Sequence, residues 1–492
     1  MILKRLFKDT LVYGGADFLL RFLSFATFPL LAYALSVEEF GVMALLLTVG
    51  GLLNTFANLG LNNALQRFYW DPQTPEADRP GLVSTGLLLQ VLVTLALTLL
   101  SLLVLWPLRD LLWQRYQIPW LSLCFVVLSL LPGNLLVYAT DVIRLHFTPW
   151  RFLLLSLLKN GLHIALTLLW VIAFKGRLDG YFFGALLAGW LAVPIALWLI
   201  RQEFSLKLNM RFVKDLVSYG YPFIFVALAA WIFSSLDRWM LGELSSSTEI
   251  GYFAVASKFA SIPLFVSSAF GLAWSPITIR LVAEAADYRR QIGQVLTVWL
   301  YLITVICGAL MLSARELLVI LTPNEYHQAA TTLIFLTMGT LWQATTQITA
   351  FGISLEKQTH HFARITWLTA AVNLGLNLVL IPRFGAMGAA QATLVSQLLV
   401  TGLYLWLTQK LHPLELETNK LLGVLLIMLA TLALALITEA VNSAALRDQL
   451  WSSSWQIILL KSGWLLVLLG LGPALGILSP RALLGLFRPQ QS

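Results

Sequence analysis

The sequence predicts an all-α membrane protein of 14 transmembrane helices, arranged as two pseudo-symmetric six-helix lobes followed by two further helices. Three observations lead there. Of the 492 residues, 59% are hydrophobic and only 11% charged, with a mean hydropathy of +0.81, whereas soluble domains carry about 25% charged residues. Apolar runs of about 20 residues, long enough to cross a hydrocarbon core of roughly 30 Å, recur from end to end. Fragments of the first six runs reappear in the next six at a nearly constant offset.

Taken in order between polar or Pro/Gly breaks, the runs fall near 10–33, 40–63, 82–106, 119–141, 152–174, 180–200, 218–241, 250–273, 292–313, 329–352, 365–381, 388–408, 421–440 and 454–478. The first follows Lys4, Arg5 and Lys8 as a signal peptide would, but it contains Asp17 and Arg21 and has no small-residue cleavage site, so it reads as a retained helix. The second holds Asn54, Asn58, Asn62 and Gln66 at four-residue steps, a polar stripe along one helix face. Lys159 lies about 10 Å into the fifth, with His163 one turn deeper. Asp237 and Arg238 sit near the end of the seventh, and Lys258 is in the eighth. The tenth carries Gln343, Thr345, Thr346, Gln347 and Thr349, and the eleventh the pair Asn373 and Asn377, both read as interhelical hydrogen-bond glue. Lys461, in the last run, is read as structural or lipid-facing. Trp70, Trp106, Trp120, Trp150, Trp451 and Trp455 cluster at run boundaries, as interfacial anchors do.

An even number of spans places both termini on one side. Seven basic residues, Arg109, Arg115, Lys175, Arg177, Arg315, Arg383 and Arg447, fall in loops on the opposite side, against twenty on the terminal side. The positive-inside rule then predicts cytoplasmic termini. The net charge of +8 therefore reflects membrane topology, and no nucleic-acid partner is expected. Cys124 and Cys307 lie within apolar runs in different halves, so neither a disulfide framework nor a cysteine metal site is indicated.

The internal repeat has an offset near 208 residues. Tyr13-Gly14 recurs as Tyr219-Gly220, Glu39-Phe40-Gly41-Val42 as Glu249-Ile250-Gly251-Tyr252, and Gly180 with Leu197-Trp198-Leu199 as Gly388 with Leu405-Trp406-Leu407. This divides the chain into an N-terminal six-helix lobe (1–208), a C-terminal six-helix lobe (209–412), and two additional helices with a short cytoplasmic tail (413–492). Six is even, so the lobes share one orientation, as in parallel-repeat transporters, and a cleft between them can open alternately to each side.

Ionised side chains at membrane depth are expensive, about 2.5 to 3.5 kcal/mol for an arginine on insertion scales, and usually face a bundle interior or wet cavity. Arg21, Lys159, Arg238 and Lys258 are accordingly the candidates to bind substrate, with Asp17, Asn54, Asn58, Asn62 and Asp237 as a polar cavity wall. Cations predominate in this set. A cationic cleft suits a phosphate or diphosphate, whose oxygens take charge-assisted donors. Arg21→Ala is accordingly expected to lower transport without loss of membrane insertion.

Three stretches resemble the polysaccharide (oligosaccharide) flippases of the MOP superfamily, relatives of the MATE exporters and of the lipid II flippase. They are Leu35-Ser36-Val37-Glu38-Glu39-Phe40-Gly41 with Leu59-Gly60-Leu61-Asn62-Asn63-Ala64 and Arg67-Phe68-Tyr69; Leu236-Asp237-Arg238-Trp239-Met240-Leu241-Gly242 with Glu249-Ile250-Gly251-Tyr252-Phe253 and Ser257-Lys258; and Asn373, Asn377, Ile381-Pro382-Arg383-Phe384-Gly385-Ala386-Met387-Gly388-Ala389-Ala390 and Ala392-Thr393. The resemblance implies a MATE-like carrier that moves undecaprenyl-diphosphate-linked oligosaccharide from the cytoplasmic to the outer leaflet by alternating access, for surface polysaccharide such as the O-antigen of lipopolysaccharide. It also implies a bacterial inner-membrane location, cavity cations holding the diphosphate, and other polysaccharide-assembly membrane proteins as partners. No cofactor or metal is expected, and a coupling ion, Na+ or H+, stays unassigned. Two alternatives compete. A MATE-type cation-coupled drug exporter needs uncompensated acids in its cleft, whereas Asp17 and Asp237 each have an arginine nearby. A membrane-embedded glycosyltransferase or O-antigen polymerase needs a clustered acid/base constellation, generally in a substantial extramembrane segment, and the sequence offers none.

Overall fold

A computed structural model describes residues 19–20, 22–146, 148–205, 209–356, 358, 360–447 and 452–477. Every regular element among them is helical, as lipid demands of a chain that must satisfy its backbone internally. In order, the helices are α1 (Phe28–Ala34), α2 (Val37–Asn58), α3 (Leu61–Tyr69), α4 (Arg79–Leu105), α5 (Arg109–Tyr116), α6 (Trp120–Leu128), α7 (Leu130–Leu145), α8 (Pro149–Leu168), α9 (Arg177–Leu199) and α10 (Met210–Leu244). They continue as α11 (Ser247–Ala260), α12 (Ile262–Glu284), α13 (Tyr288–Leu312), α14 (Ala314–Leu321), α15 (Ala330–Thr349), α16 (Phe351–Leu355), α17 (His360–Leu411), α18 (Thr418–Arg447) and α19 (Ser452–Ala474).

Ten helices or helix pairs among the described residues are long and apolar enough to cross a membrane, or eleven if α11 and α12, bent by 41°, form one span. The protein is a multi-pass membrane protein. The longest helix, α17, has 52 residues, about 78 Å at 1.5 Å per residue and long enough for two crossings. It breaks at Gly385, whose φ of 53° and ψ of −131° are not helical, between the runs expected at 365–381 and 388–408. The run expected at 329–352 corresponds to α15, and the first run begins outside the described residues.

The chain divides into two compact units, Met1–Gly242 and Glu243–Ser492. In the first, α4 shows how lipid inverts the usual amphipathic pattern. Gln90, Thr94, Thr98 and Ser101 are buried, while Leu88, Leu92, Leu95, Leu99 and Leu103 are exposed, presenting hydrocarbon outward and hydrogen-bonding groups inward. Gln90 Nε2 donates to the Ala57 carbonyl of α2 at 2.8 Å and to Asn134 Oδ1 of α7 at 3.3 Å. The apolar core gathers Leu61, Leu65, Leu82, Tyr138, Val142, Leu155, Ala192 and Leu216, and the Tyr138 hydroxyl donates to the Val83 carbonyl at 2.7 Å.

In the second unit, α15 is tied to both neighbours by side chains that donate to its carbonyls. Trp299 of α13 reaches Ala344 at 3.0 Å, and Thr401 and Thr408 of α17 reach Trp342 and Thr349 at 3.0 and 2.7 Å. The last two helices dock through polar groups. Tyr301 donates to the Leu468 carbonyl and accepts from the Gly472 N–H. Trp464 of α19 donates to Thr431 of α18 at 3.0 Å. At the adjacent positions Arg315 and Glu316, the guanidinium pairs with Glu439 of α18 and the carboxylate with Lys461 of α19, the latter at 2.7 Å. Lys461 is thus a buried structural ion rather than a lipid-facing one.

The repeat legible in the sequence has a physical counterpart. Ser36 and Ser246 each cap a helix by accepting the N–H of Glu39 and Glu249, both at 3.3 Å. Each glutamate then fastens the start of a later helix. Glu39 pairs with Arg177 Nε at 2.8 Å, and Glu249 accepts the Ala386 N–H at 2.6 Å. Just beyond, Gly180 and Gly388 lie against the carbonyls of Trp170 and Leu380, where a Cβ would clash with backbone. Gly385→Ala would force a side chain into the left-handed region and against the Glu249 carboxylate. The expected loss is about 1–3 kcal/mol, read as a lower Tm in detergent. An unchanged Tm would mean that this turn is not held as described.

Candidate functional site

Lys159 lies on α8, about 14 Å from the start of its apolar span at Trp150. Across the short connection, α7 presents Asp141, buried at 6% exposure, and Arg144, whose Nη1 is 3.6 Å from Asp141 Oδ1. The Arg144 guanidinium rests over the Phe152 ring at 4.8 Å. The other carboxylate oxygen, Oδ2, is buried and accepts no hydrogen bond among the described residues. Lys159 lies within electrostatic reach of both groups, yet it forms no hydrogen bond or ion pair with any described residue. Among the described residues nothing takes up its three N–H donors. His163, one turn on, packs edge-to-face on Tyr181, with ring centroids 6.1 Å apart.

Asp237 and Arg238 lie on α10. Asp237 is 6% exposed, and Arg238, half-buried, donates to the Ser234 carbonyl of its own helix at 3.1 Å. The rotation of α10 is set by two indoles two turns apart on one residue of α2. Trp231 donates to the Thr48 carbonyl at 2.9 Å and Trp239 to the Thr48 hydroxyl at 2.8 Å. Turning α10 to re-aim Asp237 would break both.

The asparagine stripe is not continuous. Leu59 and Gly60 both adopt left-handed φ, 49° and 68°, ending α2 after Asn58 and restarting the chain as α3, the left-handed stop common at helix C-termini. Asn54 and Asn58 therefore belong to one helix, Asn62 and Gln66 to the next, and four-residue spacing does not align the pairs. The break is enforced by packing, because Gly60 lies against the backbone of Gly220. Asn62 Oδ1 is buried without a hydrogen bond among the described residues. Lys258 lies on α11 of the second unit, half-buried. Asp17 and Arg21 lie outside the described residues. Of the polar patches on later helices, Gln347 of α15 donates to the Ser267 carbonyl of α12 at 3.0 Å, an interhelical bond, whereas the Asn377 side chain donates to Asn373 Oδ1 at 3.0 Å within α17 itself.

Comparison with known proteins places this helical architecture. The family model described as "Polysaccharide biosynthesis protein" matches residues 6–282, more than half of the chain. The chain belongs to that family. The "Probable low-salt glycan biosynthesis flippase Agl15" of Haloferax volcanii is 23% identical over 390 residues, 76% of this chain and 77% of that one. Among solved structures, the lipid II flippase MurJ in an inward closed conformation superposes with a TM-score of 0.73 at 16% identity, covering 94% of this chain and 98% of that one. An inward-facing multidrug resistance MATE family transporter of the MOP superfamily gives a TM-score of 0.58 at 15% identity, covering 82% of this chain and 94% of that one. These likenesses establish the MATE-like fold.

Within this polysaccharide biosynthesis protein, the structure adds Asp141 and Arg144 to Lys159. Both stand at the edge of an apolar run, where a charged residue reads as loop. Their three-residue spacing, which sets them on one helix face, was the available signal. Thr48 had no such signal, since a lone threonine in an apolar helix is ordinarily bonded to its own backbone.

Proposed function

We propose that this protein is a flippase that carries undecaprenyl-diphosphate-linked oligosaccharide from the cytoplasmic to the outer leaflet of the bacterial inner membrane by alternating access, both termini being cytoplasmic. Membership of the polysaccharide biosynthesis family supports this reading, as does similarity to Agl15, a protein named as a probable glycan flippase. The observation that carries it is the ammonium of Lys159 at membrane depth, within electrostatic reach of Arg144 and Asp141 and without a hydrogen bond or ion pair to any described residue. Two cations against one acid leave a net positive site that suits an anionic head group. Arg21, Arg238 and Lys258 are the further diphosphate ligands in this reading, with Asp17, Asn54, Asn58, Asn62 and Asp237 contributing polar wall. The lipid-linked glycan and the bilayer are the partners, and other polysaccharide-assembly membrane proteins supply and receive the glycan.

The test is complementation of a bacterial strain lacking its own oligosaccharide flippase. Restored surface glycan supports the proposal. Export of a cationic dye without restored glycan would favour drug transport. Sugar transfer or polymerisation by the purified protein would favour an enzyme.

A further inference from the structure

The first unit contains a cavity of about 490 Å³ formed by the N-terminus of α2, the end of α5 with the following turn, and the turn entering α9. This volume lies within the range of about 300–1,000 Å³ usual for small-molecule sites. Three left-handed residues stand on its rim, one of them, Gln117, as the common left-handed stop of α5. Gln117, Lys175 and Arg177 have φ of 55°, 53° and 47°, and they are three of the four non-glycine residues with positive φ among the described residues. A left-handed side-chain-bearing residue costs on the order of 1 kcal/mol or more, and such residues cluster where surrounding structure holds a ligand-binding geometry.

The walls are fixed by contacts already described and by one more. Glu39 holds Arg177, and Asp179 accepts from the Ser122 hydroxyl at 2.5 Å. What faces outward is chemically mixed. Trp113 is 57% exposed. Lys175 and Gln117 are exposed and make no side-chain hydrogen bond with described residues. Glu38 adds an exposed carboxylate.

The charge pattern selects among ligand classes. A phosphate would meet the carboxylates of Glu38, Glu39 and Asp179, and a simple cation would meet Lys175 and Arg177. A neutral ring of hydroxyls needs both donors and acceptors, and its C–H face packs well on an indole. An interfacial anchor alone would give Trp113 a role, but it would not account for the polar side chains of Gln117, Lys175 and Glu38 lining the same cavity.

We propose that this pocket binds a sugar residue, its ring face on Trp113 and its hydroxyls on Gln117, Lys175 and Glu38. Its role rests on the flippase reading: in that topology these turns lie on the outer side, so the pocket receives the glycan head group as it is delivered.

The experiment uses the purified full-length protein in nanodiscs and neutral hexose and N-acetylhexosamine disaccharides as probes, followed by saturation-transfer NMR. Wild type is expected to bind at least one probe, with affinity falling about ten-fold or more in Trp113→Ala and inorganic phosphate failing to compete. Gln117→Gly, which relieves the left-handed strain while removing the amide, is expected to weaken binding with no loss of Tm. Displacement of the free probe by a polyprenyl-diphosphate-linked disaccharide supports the pocket with the carried glycan as occupant. Displacement by free saccharides alone supports it with a soluble occupant. The proposal is overturned if no probe binds, if Trp113→Ala binds as wild type does, or if phosphate displaces the sugar. Failure of complementation with Trp113-dependent binding intact would sink the flippase reading and leave the pocket standing. Successful complementation without sugar binding would do the reverse.

Discussion

Lys159→Ala is expected to reduce glycan export about ten- to a hundred-fold while the protein remains inserted and abundant. A hydrogen bond to a charged group is worth about 1.5–3 kcal/mol, which converts to that range at 1.4 kcal/mol per decade. Folding has little stake in the ammonium, because it has no hydrogen bond or ion pair with a described residue. Lys159→Arg keeps the charge and should retain most export, whereas Asp141→Asn leaves both cations in place and should stay within a few-fold of wild type. Surface glycan measured against membrane abundance separates transport from stability. Normal export by Lys159→Ala at wild-type abundance would remove this residue from the site.

Arg315→Ala is expected to destabilise the fold by about 3–5 kcal/mol, the range for breaking a buried ion pair from one side. The side chains of Arg315 and Glu439 are only 14% and 7% exposed, so alanine would strand a carboxylate among helices. A large fall in Tm in detergent should follow. The paired change Arg315→Met with Glu439→Leu should recover much of it, since apolar replacement of a whole buried pair is often neutral or stabilising. Wild-type Tm in Arg315→Ala would mean that α18 docks by its apolar surface alone. The neighbouring Glu316 to Lys461 bond would then carry less weight as well.

The spans were legible because lipid imposes one rule along their whole length: runs of apolar residues with internally satisfied backbone. The kink in α17 was legible as well, since Pro382 and Gly385 separate two runs. The Glu39 and Glu249 fragments were legible as a repeat, and the structure adds Ser36 and Ser246 as their matching caps. Features that depend on tertiary approach were not. The interruption at Leu59 and Gly60 follows from the backbone of Gly220, some 160 residues away in the chain. Four-residue periodicity therefore suggested a single helix face where the chain turns. Likewise Trp231 and Trp239 looked like ordinary apolar residues, and only their shared acceptor, Thr48, reveals how α10 is oriented. The turn at Lys175 and Arg177 read as topology charge, because periodicity contains no signal for a left-handed backbone.

The serine and glutamate that open α2 and α11 bear on how such a chain arose. The two carboxylates keep equivalent stations but grip different chemistry: a guanidinium in one copy and a main-chain amide in the other. The sequence repeat leads to the expectation of a shared origin for the two openings, with the station kept and the grip changed. A cation can be lost by a single codon change, whereas an amide belongs to nearly every amino acid. The later copy should therefore tolerate variation opposite its glutamate more freely than the earlier one.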